Sequence, residues 1–206
     1  MMPGRAVAEP DEINERYLAR AIKAINALEG EIKAHGDDEA DGPAVLGSGF
    51  SQADIMLLKA RPQASEVQEG VAFFGRAGNA ILKSINRIGI DPTVIYGTNC
   101  AKRPADDLAD AKGAAAGFLL REIQIIEPKI IVCMGAETAD FLNRIRVPLA
   151  QPIDPETVGE VQELTPTIEA LVTPDIDGAL DEEGSKRRFW KAFQELGRWY
   201  NALPPY

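Results

Sequence analysis

The stretch from Ala53 to Pro104 restricts this chain more than any other. It opens on an apolar run, Asp54-Ile55-Met56-Leu57-Leu58. A polar loop follows, Lys59-Ala60-Arg61-Pro62-Gln63, and then Gly70-Val71-Ala72-Phe73-Phe74-Gly75-Arg76-Ala77-Gly78. The stretch closes on a second apolar run that ends at Thr98-Asn99, with Lys102-Arg103-Pro104 just beyond. Apolar runs without polar alternation are the mark of strands buried on both faces, as in parallel sheets. This order of parts suits a pocket for one flat polar ring beside a phosphate chain.

The remainder of the chain repeats the pattern. Runs at 54–58, 94–98, 129–134 and 168–172 read as four buried parallel strands. Helical spacing fills the intervals at 77–88, 108–126 and 136–145, with Gly89 and Pro128 as stops. A last helix at 185–200 carries Phe189, Trp190, Phe193 and Leu196 as an apolar stripe. The predicted fold is a three-layer α/β/α sandwich around a short, mainly parallel, four-stranded sheet. An N-terminal amphipathic helix occupies 1–36, an acidic linker 37–43, and the α/β domain 44–206. Residues 148–167, rich in proline and acid, read as a surface excursion. Ligands of such sheets bind at the carboxyl ends of the strands. That rule gathers Lys59 to Gln63, Asn99 to Arg103, Gly135 and Thr173-Pro174 on one rim.

The net charge of −10 disfavours a nucleic-acid partner until its distribution is read. Residues 59–104 hold seven Lys and Arg against three Asp and Glu, and residues 186–206 hold five against one. A basic face on an acidic body is compatible with phosphate binding; the other reading is a solvated surface. No stretch approaches the ~20 apolar residues of a membrane span. Residues 1–10 show no apolar signal region, so the expectation is a cytoplasmic protein, without membrane contact and monomeric. Cys100 and Cys133 fit no metal-ligand spacing, and no metal site is expected. The sole histidine, His35, reads as a helix-end residue.

Together these residues resemble the uracil-DNA glycosylase superfamily, closest to its iron–sulfur branch, often called family 4. Gly70-x-x-Phe73-Phe74-Gly75-Arg76-Ala77-Gly78 is similar to that branch's G-x-P-F-V-G-x-A-G. Tyr96-Gly97-Thr98-Asn99 with Lys102-Arg103-Pro104 resembles its Y-I-T-N and K-C-R-P segments. Glu127-Pro128-Lys129 through Gly135 resembles its P-K-v-I-v-x-L-G strand, and Val45 to Gly49 its lead-in. The resemblance implies hydrolysis of the N-glycosidic bond of a deaminated base, uracil first, flipped out of single- or double-stranded DNA.

Roles follow residue by residue. Phe73, rather than Phe74, is expected beneath the base, with Phe74 in the core; base–aromatic stacking is worth ~1–3 kcal/mol. Asn99 offers a donor and an acceptor on one amide, the complement of uracil's O4 and N3–H edge; the alternative is an Asx turn leaving the strand. Ala64 completes the expected base contacts. Gly75 opens a helix whose free N–H groups favour an anion. Arg61, Arg76, Lys102, Arg103, Pro174, Lys186 and Arg187 are the expected DNA contacts.

The chain also departs from the pattern. Lys59-Ala60-Arg61-Pro62-Gln63 stands where the branch has G-E-A-P-G, so Ala60 replaces its acid. Thr173-Pro174 stands where it has His-Pro. Gln63 and Glu66, with Glu69 beside them and Asp175 and Asp177 after Thr173-Pro174 as alternatives, are the substitutes expected to help water attack, and Thr173 to donate to the departing base. Two cysteines cannot supply the four thiolates of the branch's cluster. The expectation is therefore no cofactor, and a loose linker at 37–43. A second reading is a relative that binds a damaged base without excising it.

Overall fold

The computed structural model describes residues 10–204; the first nine residues of the expected N-terminal helix, and the last two of the chain, lie outside it. The sheet has six strands where four were expected. They are β1 (Ser48–Gly49), β2 (Ile55–Lys59), β3 (Ile95–Asn99), β4 (Ile130–Met134), β5 (Val161–Thr165) and β6 (Ile168–Thr173), in the order β1-β3-β2-β4-β6-β5. The four expected strands form its parallel centre. The additions, β1 and β5, are antiparallel and lie at the two edges. Both escaped sequence reading for a physical reason. β1 is two exposed residues, and β5 carries the half-exposed pattern of an edge inside a proline-rich, acidic stretch.

Helices cover both faces. Alternation along the central strands sends Met56, Leu58, Ile131, Cys133, Ala170 and Val172 to one core, beneath α1 (Pro10–Ala34), α4 (Ala114–Ile126) and α5 (Ala136–Ile145). It sends Ile55, Leu57, Ile95, Ile130, Val132, Met134 and Leu171 to the other, beneath α3 (Arg76–Arg87) and α7 (Glu183–Ala202). Two short helices were missed, α2 (Ala64–Glu69) and α6 (Ile176–Ala179). Neither is long enough to display a helical period, and both follow strand ends.

The stop signals act as their chemistry demands. Gly70 ends α2 in the left-handed region, where its N–H donates to Glu66 O at 2.7 Å. Glu127 ends α4 at φ 50°, a region that disfavours side chains, and Pro128 prevents continuation. No helix among the described residues is long and apolar enough to cross a membrane.

The linker differs from expectation. Arg103 is buried and reaches into it, donating to Asp38 Oδ1 and Gly42 O, both at 2.5 Å, and to Lys33 O at 3.0 Å. One guanidinium thus joins the end of α1, the acidic segment and the loop after β3. Asp37 and Asp41 close the turn between them, the Asp37 N–H donating to Asp41 Oδ2 at 2.8 Å.

Candidate functional site

The register of the four central strands sets one row of side chains at their carboxyl ends. Asn99 pairs with Lys59, Lys59 with Met134, and Met134 with Thr173. All four project to the α3/α7 face, because each lies an even number of residues from a buried neighbour there, Leu57, Gly97, Val132 and Leu171. Residues far apart in sequence therefore share one rim, as strand polarity requires.

Phe73 belongs to this rim. Its ring lies against β3 at Gly97, where an added Cβ would come 2.7 Å from Phe73 Cδ2. Its backbone is held at φ 59°, a costly conformation for a bulky residue. Glu66 secures it. One carboxylate oxygen of Glu66 accepts from the Phe73 N–H, and the other accepts from the Gln63 N–H at 2.6 Å. The second oxygen also meets Lys59 Nζ at 2.6 Å. Gly78 completes the clamp, since a Cβ there would fall 1.7 Å from the Phe73 carbonyl oxygen. The glycine spacing of the motif thus serves the placement of one aromatic ring.

Phe74 contradicts its expected core position. It is 48% exposed and lines a pocket of about 420 Å³ with Phe73, Gly97, Leu57, Ile81 and Leu82. The left-handed turn at Phe73 sends the next side chain outward instead of into the core.

Asn99 is fully buried, at 0% exposure, and neither its amide nitrogen nor its amide oxygen has a hydrogen-bond partner among the described residues. The alternative of an Asx turn is thereby removed, because that turn would occupy the side chain. A buried polar group left unpaired costs about 1–3 kcal/mol. Two idle ends on one carboxamide make this the most conspicuous polar vacancy in the described chain.

Lys59 is equally buried and carries the charge of the row. Besides Glu66 it donates to Asp177 Oδ2 at 2.8 Å, and its ammonium lies 5.7 Å from the centroid of the Phe73 ring. Asp177 sits on α6, immediately after Thr173-Pro174, with its side chain 21% exposed. Sequence reading passed over Lys59 as a loop residue. The signal lay in its strand, since β2 runs one residue further than its apolar letters.

The other expected residues divide by exposure. Glu66 does not face water; both its oxygens are spent inside the protein, so it holds the loop. Thr173 is buried in the row, and its hydroxyl donates to Pro174 O at 2.9 Å. Gln63 and Ala64 are exposed at the start of α2. Lys102 cannot meet a phosphate as placed. It is buried on the opposite face, donating to Thr98 Oγ1 at 2.8 Å and Asn99 O at 2.7 Å and pairing with Glu122. Tyr96 Oη and Thr98 Oγ1 also donate to Glu122, each at 3.1 Å. Arg103 is committed to the linker. The exposed cations are Arg61, paired with Glu137 at 3.3 Å, Arg76, paired with Asp181 at 2.5 Å, and Lys186 and Arg187 on α7. The Arg76 guanidinium holds the Asp181 carboxyl below its usual range. Gly75 caps α3 at φ 91°, and Pro174 is half-buried beside Thr173.

Cys100 and Cys133 are buried and free. Burial pushes the Cys133 thiol up to about 12 and raises Cys100 well above its ordinary value. No group of three or more His, Cys, Asp or Glu among the described residues is placed to hold a metal ion.

Comparison with known proteins gives the same direction as the geometry. The family described as "Uracil DNA glycosylase superfamily" matches residues 46–197. A type-4 uracil-DNA glycosylase of Sulfurisphaera tokodaii is 36% identical over 104 residues, covering 48% of this chain and 47% of the relative. One from Saccharolobus solfataricus is also 36% identical over 104 residues, covering 48% of each. One from Thermotoga maritima is 32% identical over 101 residues, covering 47% of this chain and 53% of its own. The match spans about half the length of these relatives.

Proposed function

We propose that this chain, which belongs to the uracil DNA glycosylase superfamily, grips a deaminated base flipped out of DNA, uracil foremost, and hydrolyses its bond to the sugar. The observation that carries this reading is the buried, unpartnered Asn99 carboxamide beside the Phe73 ring. Uracil offers N3–H and O4 side by side, and one amide satisfies both. Cytosine presents an acceptor and a donor at the same two positions, so an amide held in the orientation that suits uracil is left mismatched and buried. Such mispairing rejects the wrong partner strongly.

In the reaction the C1′–N1 bond breaks, its electron pair stays on the base, and a water oxygen bonds to C1′. The Thr173 hydroxyl, in the same row, supports the negative base once it turns from Pro174 O. Asp177 is the carboxylate nearest the row with access to solvent, and it takes the proton released by the attacking water. Gln63 stands at the loop edge as a further polar contact. Arg61, Arg76, Lys186 and Arg187 supply the phosphate contacts, with the Gly75 turn and Pro174 shaping the rim. The reading includes no iron–sulfur cluster. Two cysteines, both buried, cannot supply the four thiolates of a cluster. The corner beside the linker is held by the Arg103 guanidinium instead. We take the protein to act in the cytoplasm as a monomer.

A second reading, binding without excision, is favoured by one observation. Ala60 brings no acid, and Glu66 is buried with both oxygens engaged by the chain. A base-release assay separates the two. Oligonucleotides bearing uracil, hypoxanthine or xanthine, single- and double-stranded, are incubated with enzyme while binding is followed in parallel. Release of uracil, reduced at least a hundredfold by Asn99→Ala and by Phe73→Ala, supports excision. Salt-sensitive binding without release supports the second reading. Equal activity in both variants removes the site.

A further inference from the structure

The row has an occupant already. Strand order puts β2 between β3, which carries Asn99, and β4 and β6, which carry Met134 and Thr173. A flat ring that touches the Asn99 amide and extends along the row toward Thr173 must lie over the end of β2. That position belongs to Lys59. Its side chain is buried, projects to the same face, and brings its ammonium over the Phe73 ring. The neighbouring 420 Å³ pocket includes Phe73 and Gly97 but neither Lys59 nor Asn99.

The two anchors of Lys59 are unequal. Glu66 is buried and fixed by two backbone N–H groups. Asp177 rides on a four-residue helix, is partly exposed, and contributes a single oxygen at 2.8 Å. An ammonium that leaves this position gives up the Asp177 contact first, since that partner is partly exposed and singly bonded while Glu66 is fixed. Such a side chain also explains how Asn99 persists with both ends idle: aliphatic stem excludes water from a seat that lacks its ligand.

We propose that the Lys59 side chain fills the seat that Asn99 and Phe73 offer a base, latched there by Asp177, so that a base enters only when Lys59 is drawn out. The inference rests on the base-gripping reading above and adds its regulation: Lys59 sets how readily the site accepts any ring at all.

The test uses the full chain and two readouts. The first needs no DNA: hydrogen exchange of the Asn99 side-chain amide, followed by NMR. Exchange should be slow in the unaltered chain and in Lys59→Met, whose thioether keeps the seat filled. It should quicken at least tenfold in Lys59→Ala. Asp177→Asn loosens the latch while keeping the Lys59–Glu66 pair, and it should give an intermediate rate even where loss of Lys59 disturbs folding. The second readout is affinity for a uracil-bearing single-stranded oligonucleotide relative to the same oligonucleotide with an abasic analogue in place of uracil. Lys59→Ala should improve that ratio at least tenfold, Lys59→Met should not, and Asn99→Ala added to Lys59→Ala should abolish the gain. Unchanged exchange in folded Lys59→Ala and in Asp177→Asn overturns the latch whatever the DNA result. So does weaker uracil discrimination in Lys59→Ala than in the unaltered chain, which would make Lys59 a ligand. Quickened exchange without uracil preference in any variant keeps the latch and removes the base reading.

Discussion

The side chains of the rim are placed by their neighbours more than by their own chemistry. Phe73 sits at positive φ only because Glu66 accepts from its N–H and Gly78 leaves room for its carbonyl. Gly78→Ala should therefore cost at least 2 kcal/mol in urea unfolding, on the order of other substitutions that force backbone strain, and should lower affinity for a uracil oligonucleotide. An unaltered midpoint and unaltered affinity would show that Phe73 does not depend on that gap. The motif's letters marked the aromatic and the carboxamide as candidates. They did not reveal which phenylalanine faces outward, because that depends on one dihedral, nor that Glu66 turns inward, because a Glu in a polar loop is ordinarily solvated. Glu122 shows the same limit. It is buried on α4 and balances Lys102, Tyr96 and Thr98. Glu122→Ala leaves the Lys102 ammonium buried and unpaired, and should destabilise the protein by about 3–5 kcal/mol. A loss below 1 kcal/mol would mean that the pair is not closed in solution.

Among the elements, strands were legible where burial on both faces wrote an unbroken apolar run, and illegible where an edge diluted it. Helices were legible above about three turns, since a shorter segment carries no period. The expected helix at 108–126 begins at Ala114 because Asp107 and Asp110 bond backbone N–H groups two residues on and hold the preceding turns. At its far end Glu127 pays the left-handed penalty. Glu127→Gly should raise stability by about 0.5 kcal/mol, the gain in conformation exceeding the entropy that glycine adds to the unfolded chain. A drop in thermal midpoint would refute the cap. The linker was expected to be loose, since its composition is that of a solvated acidic segment. What ties it are an arginine some sixty residues onward and the Ala105 N–H, which donates to Asp41 O at 3.2 Å, pairings that no local pattern announces. Arg103→Ala should open 37–43 to limited proteolysis many times faster than the unaltered chain, while cleavage elsewhere stays slow. Equal cleavage rates would deny the tie.

For the molecule as a whole, two buried thiols give a direct reading of how its stability follows pH. The Cys133 thiol ionises near 9 when unfolded and near 12 when folded, because the core resists its charge. The native state therefore keeps a proton that the unfolded chain has lost. That contribution is complete below pH 9 and falls away as pH rises toward 12. Cys100 shifts in the same direction. Denaturant midpoints should decline from pH 8 to pH 10.5, and Cys100→Ala with Cys133→Ala should flatten the decline. A slope identical with and without the thiols would assign it elsewhere. The parallel sheet also governs what change this protein can absorb. Its rim is composed by four strands contributing one terminal letter each. Replacing a letter alters what the rim attracts, at a cost confined to that letter's own contacts. Deleting a single residue upstream within any of those strands inverts its parity, and the contributor points into the other half of the core. Variation by exchange is thus open to this surface, whereas variation by insertion or loss is confined to the connections between strands.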